Sequence, residues 1–339
     1  MSNRALIDTF NKWRDEGEAF ALVTVVETAG STYSKQGRHL LIRSNGEHEG
    51  LLSGGCLEGD LAQHARAVIE SGEPKVVTYD MRDDADDLWG IGLGCNGMMR
   101  MLVQRVAADN NWEPLQMLTA AMNTTETHMA ALIVESKEPD TPVGTCWVDN
   151  NSMVSSELPT LKQNTNVTAL HWKICPWTRL LLLGAGPDAV PVVESARMLG
   201  WEVTVADHRP HYIDSGGFDT ADARLQVIPA DIAAVLNLGF NAIVVMSHHL
   251  ETDRLYLQQL AALPVDKQPD YVGILGPPAR KQKLLDDLGD TGQGLANRLR
   301  GPVGLDLGAD SPATIALSLI SEIQAVLNGS SGNALSNTP

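Results

Sequence analysis

The chain has 339 residues, 43% of them hydrophobic, and its 25 basic against 42 acidic side chains give a formal charge of −17. That length is too great for one ordinary domain and supplies apolar material for two cores. The charge argues against a nucleic-acid partner, and the apolar runs fall short of the roughly 18 residues of a membrane span, which argues against a membrane protein. The start Met1-Ser-Asn-Arg4 carries no secretory h-region, so a cytoplasmic protein is expected. Its four cysteines, Cys56, Cys95, Cys146 and Cys175, are too widely spaced for a disulfide framework or a paired zinc site.

Residues 3–16 place Ala5, Leu6, Phe10 and Trp13 on one face of a helix. The β-branched run 19–26 reads as a buried strand ending in a loop, 27–38, and short strands at 39–43 and 50–52 flank the turn Ser44-Asn45-Gly46. Next comes Ser53-Gly54-Gly55-Cys56-Leu57-Glu58. From 57 to 70 the residues Leu61, Ala65, Val68 and Ile69 recur at helical spacing, so Cys56 is expected in a first helical turn. There the free N–H groups and the helix dipole favour a thiolate. Cys56 is then either a soft ligand or sulfur carrier, or a small apolar residue packed behind a tight Gly54-Gly55 turn. After a strand at 75–79 and an acidic loop at 80–87, read as a solvated turn, comes Trp89-Gly90-Ile-Gly92-Leu-Gly94-Cys95-Asn96-Gly97. Glycines so dense exclude a helix and make a loop whose backbone approaches something closely. A strand at 98–106 and a helix at 110–123 follow. Strands at 129–134, 143–148 and 167–174 form an antiparallel extension or linking sheet, with Cys146 and Cys175 as core residues.

The organisation expected is a Gly-Cys domain over 1–110, a linking segment over 111–176, a Rossmann-like domain over 177–328 and a disordered tail over 329–339. The third part opens on Arg179-Leu-Leu-Leu-Leu-Gly184-Ala-Gly186-Pro187-Asp188, a strand and glycine turn, with a helix to 199 and a second strand ending at Asp207. Such a turn offers backbone N–H groups to an anion, and an acid about 20 residues on can hold a ribose hydroxyl, which is where Asp207 stands. Further strands at 225–229, 241–246 and 270–275 should bring residues 184–187, 207–209, 247–249 and 276–280 to one crevice. Candidate ligand-binding residues there are Gly184, Gly186, Pro187, Asp207, Arg209, His248 and Gly276. Each of His248 and His249 is either a crevice ligand or a strand-end residue bonded to backbone. A helix over 312–327 closes the sheet. The fold class is α/β: a C-terminal Rossmann-like, doubly wound parallel sheet preceded by an α+β domain with mixed or antiparallel strands.

Five stretches in order carry a resemblance: Ser53-Gly-Gly-Cys-Leu-Glu58, Gly92-Leu-Gly-Cys95-Asn-Gly97, Gly184-Ala-Gly186, Tyr271-Val-Gly-Ile-Leu-Gly276 and Gly301-Pro-Val-Gly-Leu-Asp306-Leu-Gly308. With the helix Ser311-Pro-Ala-Thr-Ile-Ala-Leu-Ser-Leu-Ile-Ser-Glu322 they resemble the XdhC/CoxI family over nearly the whole chain, least at 110–174. The chain departs from similar proteins at Pro187, where they commonly carry histidine, and at Asn96, where they carry a third glycine. The resemblance implies a maturation factor for molybdenum hydroxylases such as xanthine dehydrogenase or carbon monoxide dehydrogenase. It would bind the molybdenum cofactor as a molybdopterin mono- or dinucleotide, hold it while a cysteine desulfurase helps install the terminal sulfido ligand, and pass it to the apo molybdenum hydroxylase. A homodimer is implied as well. On this reading Cys56 and Cys95, on the glycine turns of Gly54, Gly55 and Gly94, shelter or sulfurate the molybdenum, while the third part grips the nucleotide or phosphate end. The alternatives are an NAD(P)-dependent oxidoreductase, with Gly184, Gly186 and Asp207 on the cofactor and His248 or His249 handling a proton, and a non-catalytic nucleotide-binding scaffold.

Overall fold

In the computed structural model, which describes residues 3–82, 97–149, 159–214 and 217–337, the amphipathic start of the chain forms helix α1, Asn3–Glu16. Strands β1, Phe20–Gly30, β2, His39–Arg43, and β3, His48–Glu49, follow, then helix α2, Glu58–Ser71, and strands β4, Lys75–Asp80, and β5, Gly97–Val106. The five strands make one antiparallel sheet in the order β3-β2-β1-β5-β4. Alternation along β1 decides what each face packs against. Ala21, Val23 and Val25 meet Leu61, Ala65 and Val68 of α2. Phe20 takes Phe10 and Trp13 of α1 edge-on, with ring centroids 6.2 and 5.4 Å away. Burying an aromatic ring of this kind is worth about 2–3 kcal/mol. Helix α3, Leu115–Met122, leads into a second antiparallel sheet, ordered β7-β6-β9-β8, of β6, His128–Ser136, β7, Cys146–Asp149, β8, Thr160–Gln163, and β9, Val167–Ile174. These elements belong to the first of two compact units, residues 1–176.

The second unit, residues 177–339, is built on six parallel strands. In chain order they and their helices are β10, Arg179–Leu183, α4, Val190–Met198, β11, Glu202–Asp207, α5, Pro210–Asp214, β12, Ala223–Gln226, α6, Ala233–Leu236, β13, Ala242–Val245, α7, Leu250–Ala261, β14, Tyr271–Ile274, α8, Pro278–Leu288, α9, Asp290–Ala296, β15, Leu299–Arg300, and α10, Pro312–Leu327. The order β12-β11-β10-β13-β14-β15 reverses between β10 and β13, the switch point at which open α/β sheets place their ligand crevice. The leucine run is buried on both faces: Leu180 and Leu182 enter the core shared with α4 and α10, and Leu181 and Leu183 the core shared with α7 and α8. Among the described residues no helix is long and apolar enough to cross a membrane.

The fold class is the one expected from the sequence, with the N-terminal strands antiparallel. Individual elements differ where tertiary bonds decide. β1 continues through the expected loop to Gly30, which pairs with Gly97 past a register shift between Val25 and Glu27. No strand forms at 50–52, because the Leu52 and Ser53 N–H groups turn to the Glu58 carboxylate instead. The helix expected from 110 begins only at Leu115, after Asn111 and Trp112 adopt left-handed backbone (φ +55° and +61°) and Pro114 restricts the residue before it. β8, α9 and β15 have no counterpart among the expected elements.

Candidate functional site

Two of the glycine turns singled out by sequence, one in each unit, are each held by a buried carboxylate. In the first unit the carboxylate is Glu58, 5% exposed at the start of α2. Its Oε1 accepts the N–H groups of Leu52 and Ser53, both at 2.9 Å, and its Oε2 accepts the Ser53 hydroxyl at 2.5 Å. The Ser53 Oγ in turn accepts the Leu57 N–H at 2.8 Å, and the Cys56 thiol donates to the Ser53 carbonyl at 3.0 Å. Leu57 is the N-cap of α2, so Cys56 stands one residue outside the helix rather than in its first turn. Burial pushes the Glu58 pKa up, but the hydrogen bonds from Ser53 and Leu52 outweigh it and hold the group below the usual glutamate value.

Between these residues Gly54 and Gly55 have φ of +77° and +106°, which an L side chain adopts only under strain. Among the described residues a Cβ at Gly54 would touch only the Tyr33 ring at 3.8 Å and one at Gly55 would meet nothing within 4 Å, so it is the backbone conformation that calls for glycine there. The Cys56 side chain packs against the core formed by β1 and α2. A side chain at Gly97 would run into the Ser31 carbonyl, so the loop from Ser31 to Tyr33 touches both the Gly54 turn and the exit of the second Gly-Cys stretch. Gly94, Cys95, Asn96 and most of the acidic loop fall in residues 83–96, outside the described residues. The other two described cysteines differ from one another. Cys146 is partly buried, and burial with the nearby Glu113 charge pushes its thiol up to about 12. Cys175 was expected in the core but is exposed, because it follows the last residue of β9.

The second turn lies at the C-terminal edge of the parallel sheet. Leu183 pairs with Ala206 on one side and Val245 on the other, so three strands end level. Gly184 has φ +131°, and a Cβ there would sit 2.5 Å from the Met246 carbonyl oxygen, which makes glycine obligatory where β10 and β13 part. Asp207 is fully buried and points inward. Its Oδ2 accepts the Ala185 N–H at 2.8 Å and Arg209 Nη2 at 2.7 Å, while Oδ1 accepts the Arg209 N–H and Nε at 2.9 Å each. Burial raises the Asp207 pKa, and the bonds from Arg209 and Ala185 more than reverse this, leaving it below the usual aspartate value. The Arg209 guanidinium also lies 4.0 Å from the Tyr212 ring centroid.

Opposite, His248 has left-handed backbone at φ +62° and its Nε2 lies 2.8 Å from Asp188 Oδ2. A Cβ at Gly186 would come within 2.6 Å of the other Asp188 oxygen, so the second glycine makes room for this pair. His249 caps α7, its Nδ1 accepting the Thr252 N–H at 3.3 Å. Gly276, at φ +132°, leaves space for the Arg280 stem, and Arg280 binds Asp253 Oδ2 through Nε at 3.1 Å and Nη2 at 2.5 Å. Asp253 Oδ1 takes the Ser247 hydroxyl at 2.5 Å. The Tyr256 hydroxyl is buried with no hydrogen-bond partner among the described residues, its pKa raised by burial and by Asp207 and Asp253.

The four strand tips thus meet through Ala185 and Asp207, Asp188 and His248, and Asp253 and Arg280. Their chemistry departs from a simple phosphate cradle. The Gly184 N–H is spent on Ala206, the Ala185 N–H on Asp207, and Pro187 has none. The donors these bonds leave unused are the Gly186 N–H and the Nη1 edges of Arg209 and Arg280, each guanidinium aligned by a buried aspartate. A third carboxylate, Glu322 of α10, accepts the Gly304 N–H at 2.8 Å, the Tyr271 hydroxyl at 2.6 Å and Arg300 Nη1 at 3.2 Å. Sequence reasoning gave no role to Glu58, Asp188, Asp253 or Glu322. For Glu322 a signal exists, a lone acid inside the apolar stripe formed by Leu319, Ile320 and Ile323.

Comparison with known proteins bears on the whole chain. The family model described as the XdhC Rossmann domain matches residues 180–323, and that of the XdhC and CoxI family matches residues 13–80. A probable xanthine dehydrogenase subunit of Bacillus subtilis (strain 168) is 30% identical over 319 residues, covering 91% of this chain and 93% of that protein. The molybdenum cofactor insertion chaperone PaoD of Escherichia coli (strain K12) is 24% identical over 313 residues, 91% of this chain and 84% of that protein. A crystal structure described as a xanthine dehydrogenase from Bacillus halodurans superimposes with a TM-score of 0.79 at 27% identity, covering 100% of this chain and 98% of that one. The chain therefore belongs to the XdhC and CoxI family.

Proposed function

We propose that the chain is a maturation factor that holds the molybdenum cofactor as cargo and delivers it to an apo molybdenum hydroxylase of the xanthine dehydrogenase or carbon monoxide dehydrogenase type. The observation that carries this reading is family membership, shared over 91% of the chain with a relative named as a molybdenum cofactor insertion chaperone. When bound, the cargo brings an oxo- and sulfido-bearing metal and an anionic phosphate tail, which call for soft neighbours and for cationic or N–H donors respectively. In the first unit Cys56, on the Gly54-Gly55 turn, is the proposed soft group, and Cys95 is assigned the same task on its sequence pattern. In the second unit Arg209 and Arg280 are the donors that fit the anionic end, whether mono- or dinucleotide. His248, bonded to Asp188 beside Gly186, is proposed as a further contact to the cargo. A cysteine desulfurase as sulfur source, a homodimer and a cytoplasmic setting belong to the same reading.

The rival dehydrogenase needs Asp207 for a ribose hydroxyl. Both Asp207 oxygens are already bonded to Ala185 and Arg209, so a ribose would have to displace internal partners of a fully buried carboxylate. A fluorescence titration with NADH separates the two. No saturable binding is expected; tight binding with substrate turnover would favour the dehydrogenase.

A further inference from the structure

The Cys56 turn depends on one side chain that no functional role has yet covered. We infer that Glu58 is the positioning residue for Cys56, its carboxylate fixing the turn so that the thiol is held against the Ser53 carbonyl. The inference rests on the reading of Cys56 as the soft group of the first unit, but its test does not.

The bonds form a chain of dependence. Cys56 is tied to Ser53 through the carbonyl, Leu57 is tied to Ser53 through the hydroxyl, and Ser53 is tied to Glu58 through both its N–H and its hydroxyl. Leu52, one residue before, is tied to the same carboxylate. Among the described residues the glycines lend the turn little support, since Gly55 has no neighbour within 4 Å of its Cβ direction and Gly54 touches only Tyr33, itself 60% exposed. Two glycines with no packing of their own would leave the sulfur free to wander, and a buried acceptor of three hydrogen bonds removes that freedom. A plain capping role for a first-turn acid would need neither the inward burial of Glu58 nor bonds to residues that precede the helix.

Asp60 supplies the control. It is also an acid in the first turn of α2, but its carboxylate takes the Tyr79 hydroxyl at 2.6 Å, away from the Ser53 turn. Peptide-resolved iodoacetamide labelling of the full chain at pH 7 reads the effect. Hydrogen bonds to a charged group are worth enough that Glu58→Gln should open the turn and raise the Cys56 labelling rate at least about tenfold. Cys146 labelling and the far-UV spectrum should stay as in the wild type, since the second sheet is untouched. Asp60→Asn should change the Cys56 rate by less than about twofold. An unchanged Cys56 rate in folded Glu58→Gln overturns the inference, and so does an equal effect of Asp60→Asn, which would make the cause helix-end charge. Should Glu58→Gln fail to fold, Ser53→Ala keeps the carboxylate and its two backbone partners and must still raise the rate by about threefold; no rise there overturns the inference equally. The cofactor reading fails separately, by cofactor retention in Cys56→Ala, which leaves these rates without bearing on it.

Discussion

Asp207→Ala should cost the second unit about 1–3 kcal/mol of stability, the range for leaving a buried donor without its partner. The substitution strands the Ala185 N–H beneath the glycine turn and leaves the Arg209 guanidinium without the carboxylate that binds it at two points. Arg209 is partly exposed and can turn to water, whereas Ala185 is buried and cannot. Adding Arg209→Ala should therefore recover little of the loss, which rests on the unpaired N–H. The pH dependence follows from a carboxylate whose folded pKa lies below its unfolded one. Its contribution is present above the ordinary aspartate range and is lost as pH falls through the lower, folded value. The gap between wild type and Asp207→Asn in chemical denaturation should thus be widest near neutrality and close in acid. A gap that persists at low pH would mean that the charge is not what holds the turn.

Cys56→Ala should leave the fold nearly intact and abolish function. Only one sulfur is removed, from a partly buried site whose hydrogen bond to Ser53 is weak, so the stability change should stay within about 1 kcal/mol. Recovery of active enzyme from an apo molybdenum hydroxylase, in the presence of a cysteine desulfurase, should fall at least about a hundredfold, as expected when a reacting sulfur is deleted. Cys95→Ala should behave alike if the two Gly-Cys stretches share the task, and Cys175→Ala, at an exposed position outside both glycine turns, should be neutral. Unchanged cofactor retention and transfer in both Cys56→Ala and Cys95→Ala would sink the assignment of the cysteines.

The fold was legible wherever local pattern and tertiary role coincide. Four consecutive leucines can only be a strand covered on both faces, and Ser311-Pro312 caps and opens α10 at the residue its sequence announces. The meeting of the strand tips was legible for the same reason, since parallel strands end on one edge and the tips follow from counting. What escaped was decided by side chains reaching across the chain. Asp207 stands where a ribose-binding acid would, yet the same residue at the same position can turn outward to a ligand or inward to Ala185, and periodicity does not distinguish them. The extension of β1 to Gly30 depends on Gly97, far along the chain, and the displacement of Cys56 from α2 depends on where the Glu58 carboxylate sends its bonds. The glycines announced the turns, and the acids that hold them were hidden because an acid in a helix reads as solvated surface.

The central claim, that the chain carries the molybdenum cofactor, is tested most directly by loading the purified protein with cofactor released from a molybdenum enzyme. After gel filtration, molybdenum content and the pterin absorption are measured, and the loaded protein is then mixed with an apo molybdenum hydroxylase. The account expects molybdenum and pterin to elute with the chain in a fixed ratio and then to move to the hydroxylase with recovery of its activity. Elution of the protein free of both, alongside saturable NADH binding and turnover, would contradict it.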